Sequence, residues 1–487
     1  MSIKNLDKEK CKQLEGHKLT SRRDFLAHGL MAGFGTVMMP SLLSILKSNA
    51  AYALDCTPAA AISTSIPVLI FDLAGGSNIA GSNVIVGKAG GQMDFLSAYD
   101  TLGLPAEMHP KNAGQVNTEL GLAFHNDSAI LRGIKAVTSA TTRNNIDGGV
   151  IAGVTNDDTQ NNTLNPMYWL HAAGASGDIA HLVGTQNTDS GGNSIAPSSS
   201  MIATLKPVSV NTPTEALNLV TIGKMGTLFG SDKSSKIIKS IQNLSSSKLN
   251  QFSSRSLPDQ IKDLINCGYI QSEDALNKFS STAIDPTLDP MVTATFNNLN
   301  DGNQKKTATI AKLVLEGHFG VGTISLGGFD YHSDERATGE TQDALVGDLV
   351  GRVMELAAKK GKNLLVYIYT DGGVAGNGKI DNTTGGRGKI GWGGDNGLRS
   401  SSFFLFYRNA GRATLRTANY RQIGYFKDNQ TIDNNANLIS NSQVNIAKAY
   451  VANYLALSGA ESKLADIVGD NPFSSEYDKY LIFQKSI

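Results

Sequence analysis

Acidic residues follow apolar or glycine-rich runs at several points in this chain. Asp72 closes the run Ile66-Pro67-Val68-Leu69-Ile70-Phe71 and precedes Gly75-Gly76. Asp330 and His332 stand in Gly327-Gly328-Phe329-Asp330-Tyr331-His332, and Asp371 in Thr370-Asp371-Gly372-Gly373. A fourth acidic stretch, Gly393-Gly394-Asp395-Asn396-Gly397, follows a glycine-rich excursion. Asp330 and His332 are two positions apart, so on an extended segment both side chains face the same way and reach one cation. Carboxylate oxygen with imidazole nitrogen suits zinc, manganese or iron better than calcium. The same Asp residues also suit helix caps and turns. Recurrence at three strand ends is what favours a site.

Residues so far apart meet only if strands carry them to one edge. Near-continuous apolar runs at 66–71, 321–326, 363–369 and 402–407 read as strands buried on both faces. Gly339 to Lys360 reads as an amphipathic helix with Leu345, Leu349, Val353 and Leu356 on one stripe. Strand–helix–strand order then predicts an α/β fold, a doubly wound, mostly parallel sheet with helices on both faces. Ligands bind beyond the carboxyl ends of strands in such sheets. Ala129-Ile130-Leu131, extending to Ile134, reads as another short strand. Helices are expected over Lys305–Gly317 and Gln443–Leu457, and 184–203 reads as a polar loop. Residues 213–317, including the periodic stretch Pro258–Ile265, read as a helical, cap-like insertion.

The 487 residues carry 43 basic and 43 acidic side chains, which gives no basis for a nucleic-acid surface or a polybasic membrane patch. Ser21-Arg22-Arg23-Asp24-Phe25-Leu26, an apolar stretch to Leu46 and Ala51-Tyr52-Ala53 read as a twin-arginine signal peptide over residues 1–53. The reading is cleavage rather than a lasting membrane anchor, and a periplasmic or secreted protein with a single domain over 54–487. Of the three cysteines, Cys56 and Cys267 either pair in an oxidising compartment or remain free thiols. No Cys-x-x-Cys pair occurs, which argues against the usual structural zinc site.

The twin-arginine leader, Gly327–Ser333, Thr370–Gly373 and Gly394–Gly397 occur in an order that resembles the bacterial family known as domain of unknown function 1501, of the alkaline-phosphatase-like superfamily. The resemblance covers about residues 64–460. It implies a doubly wound α/β sandwich and a divalent metal held by Asp and His. It also implies hydrolysis of a phosphate or sulfate ester, small-molecule or glycan. Asp330 and His332 match the central ligand pair, Asp371 the acidic residue after the next strand, and Asp395 the acidic member of a late Asp-His-Gly. Asp72 is in place to replace an acidic residue absent at Ala74, and Ser77 is the best-placed nucleophile. Asn396 stands where His is common. Of the remaining histidines, His125 is expected at the surface, His318 at a helix cap or in the core, and His171 and His181 in ordinary positions. One metal or a vestigial site fits this supply of imidazoles. The alternative is a degenerate relative that binds a glycan, a lipid head group or an envelope or secretion-associated protein.

Overall fold

The computed structural model of the chain describes residues 65–487 apart from 156–163, 186–199, 203, 204, 206, 436 and nearly all of 220–280. The signal-peptide segment, Cys56, Cys267 and Pro258–Ile265 lie outside the described residues. Contacts divide the chain into two units. One, residues 59–217 and 282–487, holds every strand; the other, 1–58 and 218–281, lies almost wholly outside the described residues.

The strands are β1 (Val68–Leu73), β2 (Val116–Asn117), β3 (Phe124–His125), β4 (Ile146–Ile151), β5 (Leu182–Gly184) and β6 (Val208–Ser209). They continue with β7 (Val321–Leu326), β8 (Leu364–Thr370), β9 (Val374–Asp381), β10 (Lys389–Asp395), β11 (Ser402–Tyr407) and β12 (Gln422–Ile423). Eight of them form one sheet in the order β12-β4-β11-β8-β1-β7-β5-β6. All run parallel except β11, which is antiparallel to both neighbours. The reversal has a simple cause: the chain enters β11 from the rim where β8 ended, so it must run back. The expected strands at 321–326 and 402–407 are present, and those at 66–71 and 363–369 are present with shifted ends.

Among the described residues the four longest helices are α1 (Ala129–Val137), α2 (Gly302–Leu315), α3 (Arg336–Lys359) and α4 (Gln443–Ser458). Tyr450 and Val451 of α4 share a buried cluster with Val68, Ile70, Val321, Tyr367 and Phe404, and the Tyr367 and Tyr450 rings stack at 4.1 Å. Gly322, next to Val321 and so on the other side of the pleat, leaves room for Ile310 and Val314 of α2. Among the described residues no helix is long and apolar enough to cross a membrane.

One expectation needs correction. Ala129–Ile134 is the start of α1, not a strand. Ser128 caps it by accepting the Leu131 N–H at 3.1 Å, and Ile130, Leu131 and Ile134 bury one face. Three apolar residues alone cannot separate a strand from a helix. The glycine-rich excursion before Asp395 is a two-stranded hairpin of β9 and β10, with irregular register on either side of Trp392. Its glycines conceal the strand pattern, because they carry no side chain to alternate.

Candidate metal site

Sheet register sets the site. Leu73 of β1 is level with Leu326 of β7 and with Thr370 of β8. Three strands therefore end on one line, and their loops leave side by side. These loops are tied together. Ala74 N–H donates to Leu326 O at 3.0 Å, Gly75 N–H to Asp371 Oδ1 at 2.7 Å, and Ser77 N–H to Thr370 Oγ1 at 2.7 Å. Gly75 has φ +120°, and a Cβ on it would stand 2.5 Å from Asp330 N. Only glycine lets the two loops approach this closely.

The hairpin brings Asp395 to the same rim. β9 starts at Val374, directly after Gly373, and Asp395 at the end of β10 pairs with Val374. Asn396 N–H then donates to Gly373 O at 2.6 Å. The chain thus leaves the rim and is returned to it.

Among the described residues, Asp330, His332 and Asp395 form a group in which one donor atom from each lies within 4.8 Å of the others. His332 Nε2 is 2.9 Å from Asp330 Oδ1. The side chains of Asp330 and His332 are 61% and 37% exposed, so the group opens to solvent. Donors bound at about 2.1 Å to one ion sit at most about 4.2 Å apart. The three donors thus stand at about the spacing that one cation requires. Two carboxylates and one imidazole fit zinc, manganese or iron and leave coordination positions for other molecules.

No family model and no curated protein matches this chain.

The other sequence candidates are not among the three donors of that group. Asp72 is 2% exposed within the sheet and accepts a 3.3 Å hydrogen bond from Ser325 Oγ. Asp371 is 5% exposed and holds Gly75 N–H. Ser77 is 1% exposed, with Oγ 3.0 Å from Tyr331 Oη and donating to Asp343 Oδ1 at 3.1 Å. Asn396 accepts the Leu398 N–H at 3.1 Å and so caps the short turn Gly397–Arg399. His125 is fully buried rather than at the surface, with Nε2 donating to Met108 O at 3.0 Å and Nδ1 accepting from Asp127 N–H at 3.1 Å. His318 is buried, and the His171 and His181 rings stack at 4.1 Å.

Sequence reasoning missed the residues beneath the ligands. Tyr331 lies between Asp330 and His332 and points inward, almost fully buried. Its hydroxyl donates to Asp343 Oδ1 at 2.7 Å and accepts from Asn78 N–H at 2.8 Å. Asp343 Oδ2 accepts from Asn83 Nδ2 at 2.6 Å. Burial pushes the Asp343 carboxyl up to about 6 and the Tyr331 phenol well above its usual range, so the phenol stays a donor. The available signal was alternation: if residues 330 and 332 face the rim, residue 331 faces the core.

Trp392, three residues before Asp395, packs on Tyr331 with ring centroids 6.2 Å apart. The Arg336 guanidinium lies 4.6 Å from the Trp392 ring centre, and Asp334 N–H donates to Trp392 O at 2.7 Å. Below them, fully buried Lys389 donates to Glu340 Oε1 at 2.7 Å. Burial raises the Glu340 carboxyl, but the Arg336 and Lys389 charges together outweigh it and hold it down to about 2.

Proposed function

We propose that this chain is a metal-dependent hydrolase of phosphate or sulfate esters, with Asp330, His332 and Asp395 holding one divalent cation. The observation that carries the reading is the meeting of these three donors at the open carboxyl rim of the sheet. A bound divalent cation supplies Lewis-acid polarisation of an ester oxygen. The chain's own residues bind and orient. Asp330 and His332 present donors from one loop, Asp395 closes the set from the hairpin, and the exposed side admits a small-molecule or glycan ester together with water. In this reading Ser77 has a structural part, since its hydroxyl is buried against Tyr331 and Asp343.

The finer assignment belongs to the same proposal: a doubly wound, alkaline-phosphatase-like domain of the family known as domain of unknown function 1501. Its support is the mostly parallel sheet, the helix contacts on either side of the pleat and a site beyond the strand ends. Export through the twin-arginine route to the periplasm or beyond rests on the Ser21–Leu26 motif. Lysines in place of Arg22 and Arg23 are expected to keep the protein in the cytoplasm, and normal export of that variant would refute the route.

The test of function is metal content with turnover of aryl phosphate and aryl sulfate esters. Stoichiometric metal and turnover should both be lost in Asp330→Ala and in Asp395→Asn. A stable protein that takes up no zinc, manganese or iron and turns over neither ester would support a second reading, a binding scaffold for a glycan, a lipid head group or an envelope protein. The observation on that side is Asn396, which caps a turn at a position next to the ligands.

A further inference from the structure

We propose that Tyr331 is a positioning residue that fixes the two limbs of the Asp330–His332–Asp395 site relative to each other; this rests on the metal-site reading above. The first limb is the loop after β7. Asp330 and His332 face the rim, and the side chain between them is turned inward and 1% exposed. Its hydroxyl is fixed from two directions, donating to Asp343 Oδ1 on α3 and accepting from Asn78 N–H in the loop after β1. With the Tyr331 side chain locked at its far end, the peptide units on both sides of it have little freedom to rotate. Those units set where both ligands point.

The second limb is the hairpin. The Tyr331 ring rests against Trp392, and Trp392 O accepts the Asp334 N–H. Trp392 therefore meets the first limb by its ring at residue 331 and by its backbone at residue 334. Asp395 lies three residues beyond Trp392 on the same strand, past a register irregularity. A shift of the Tyr331 ring passes to Asp395 through that strand. Asp330 is exposed and His332 half-buried; the Gly75 loop supports the backbone at Asp330, and the buried anchor at residue 331 is the support that lies between the two. Partners beneath metal ligands typically carry a 10–100-fold effect on affinity.

The test is titration of the full chain with Co²⁺, followed by calorimetry and by visible absorption, for wild type, Asp330→Ala, Tyr331→Phe and Trp392→Phe. Tyr331→Phe keeps the ring and removes only the hydroxyl. It is expected to bind Co²⁺ about 10-fold more weakly, with a shifted and broadened absorption band. Trp392→Phe keeps the hydroxyl network and alters the contacts of residue 392 with the Tyr331 ring and the Arg336 guanidinium; its band should also broaden, and it decides the matter alone if Tyr331→Phe does not fold. Wild-type affinity and spectrum in the folded variants, even with lowered stability of the metal-free protein, would overturn the positioning role and leave the site reading intact. A wild-type chain that takes up no Co²⁺, or an Asp330→Ala chain that binds it as well as wild type, would overturn the site itself.

Discussion

Consider alanine at position 75. The native φ of +120° lies where a side-chain-bearing residue is strained by about 1–3 kcal/mol. The new methyl would also stand 2.5 Å from Asp330 N, 2.7 Å from Asp330 Cβ and 2.9 Å from Asp330 Cα. Two of these are backbone atoms, so no rotamer change relieves the overlap. Overpacking of this kind costs about 1–3 kcal/mol. Together the terms predict a loss of about 2–6 kcal/mol, unless the loop after β7 moves away. If it moves, Asp330 and His332 move with it. The assay pairs urea unfolding at neutral pH with metal titration of the same sample. We expect either the full stability loss or a smaller loss with metal affinity reduced 10-fold or more. A Gly75→Ala protein within about 1 kcal/mol of wild type and with unchanged metal affinity would refute the argument that these loops are held by close contact.

Two other predictions concern buried charge. Glu340 accepts from Arg336 Nη2 at 2.6 Å, Lys389 Nζ at 2.7 Å and Arg132 Nη2 at 2.8 Å. Glu340→Gln leaves fully buried Lys389 with less compensation and should cost about 3–5 kcal/mol by denaturant unfolding; a change under 1 kcal/mol would contradict it. Burial lowers His125, His171 and His318 to about 4, against 6.5 for an ordinary imidazole. Between these values the unfolded chain takes up protons that the folded chain refuses. Stability is therefore full above pH 6.5 and falls as pH drops through 4, by about 3 kcal/mol for each of the well-buried His125 and His318 and by less for half-buried His171, which solvent screens. Asp343 acts in the opposite sense. Its folded value of about 6 lies above the ordinary 3.8, so its contribution is full below 3.8 and lost as pH rises through 6. Three histidines outweigh one carboxyl, and unfolding midpoints should fall between pH 6.5 and 4. His125→Gln should flatten that fall by about one proton, and an unchanged slope would refute the assignment.

The parallel part of the frame was legible chiefly because β1 and β8 are near-continuous apolar runs, a pattern that arises when both sheet faces are covered. Asp330 and His332 were legible through the period of an extended segment, and Asp395 through its glycine-flanked motif. The sequence did not reveal the route by which Asp395 reaches them. That depends on the pairing of Val374 with Asp395, a long-range register that glycine-rich strands specify weakly. Asp72 and Asp371 look like rim residues in the sequence because each ends an apolar run. One is buried by its place in the sheet, and the other is occupied by Gly75 N–H. Local sequence gives a position along the strand and says nothing of which backbone donor stands across from it. Asp343 was invisible for a related reason. On a helical pattern a lone Asp belongs to the solvated face, and only the Tyr331, Ser77 and Asn83 partners make its burial tolerable.

The hairpin of β9 and β10 is a ribbon outside the main sheet, yet it carries one of the three candidate ligands. If the proposed site takes an ion, its occupancy and the seating of this ribbon form one linked equilibrium, in which each promotes the other. At free cation a hundredfold above its dissociation constant, mass action adds about 2.7 kcal/mol to the clasp. An ion there would act as a removable rivet between two stretches that the backbone alone joins only through a long excursion.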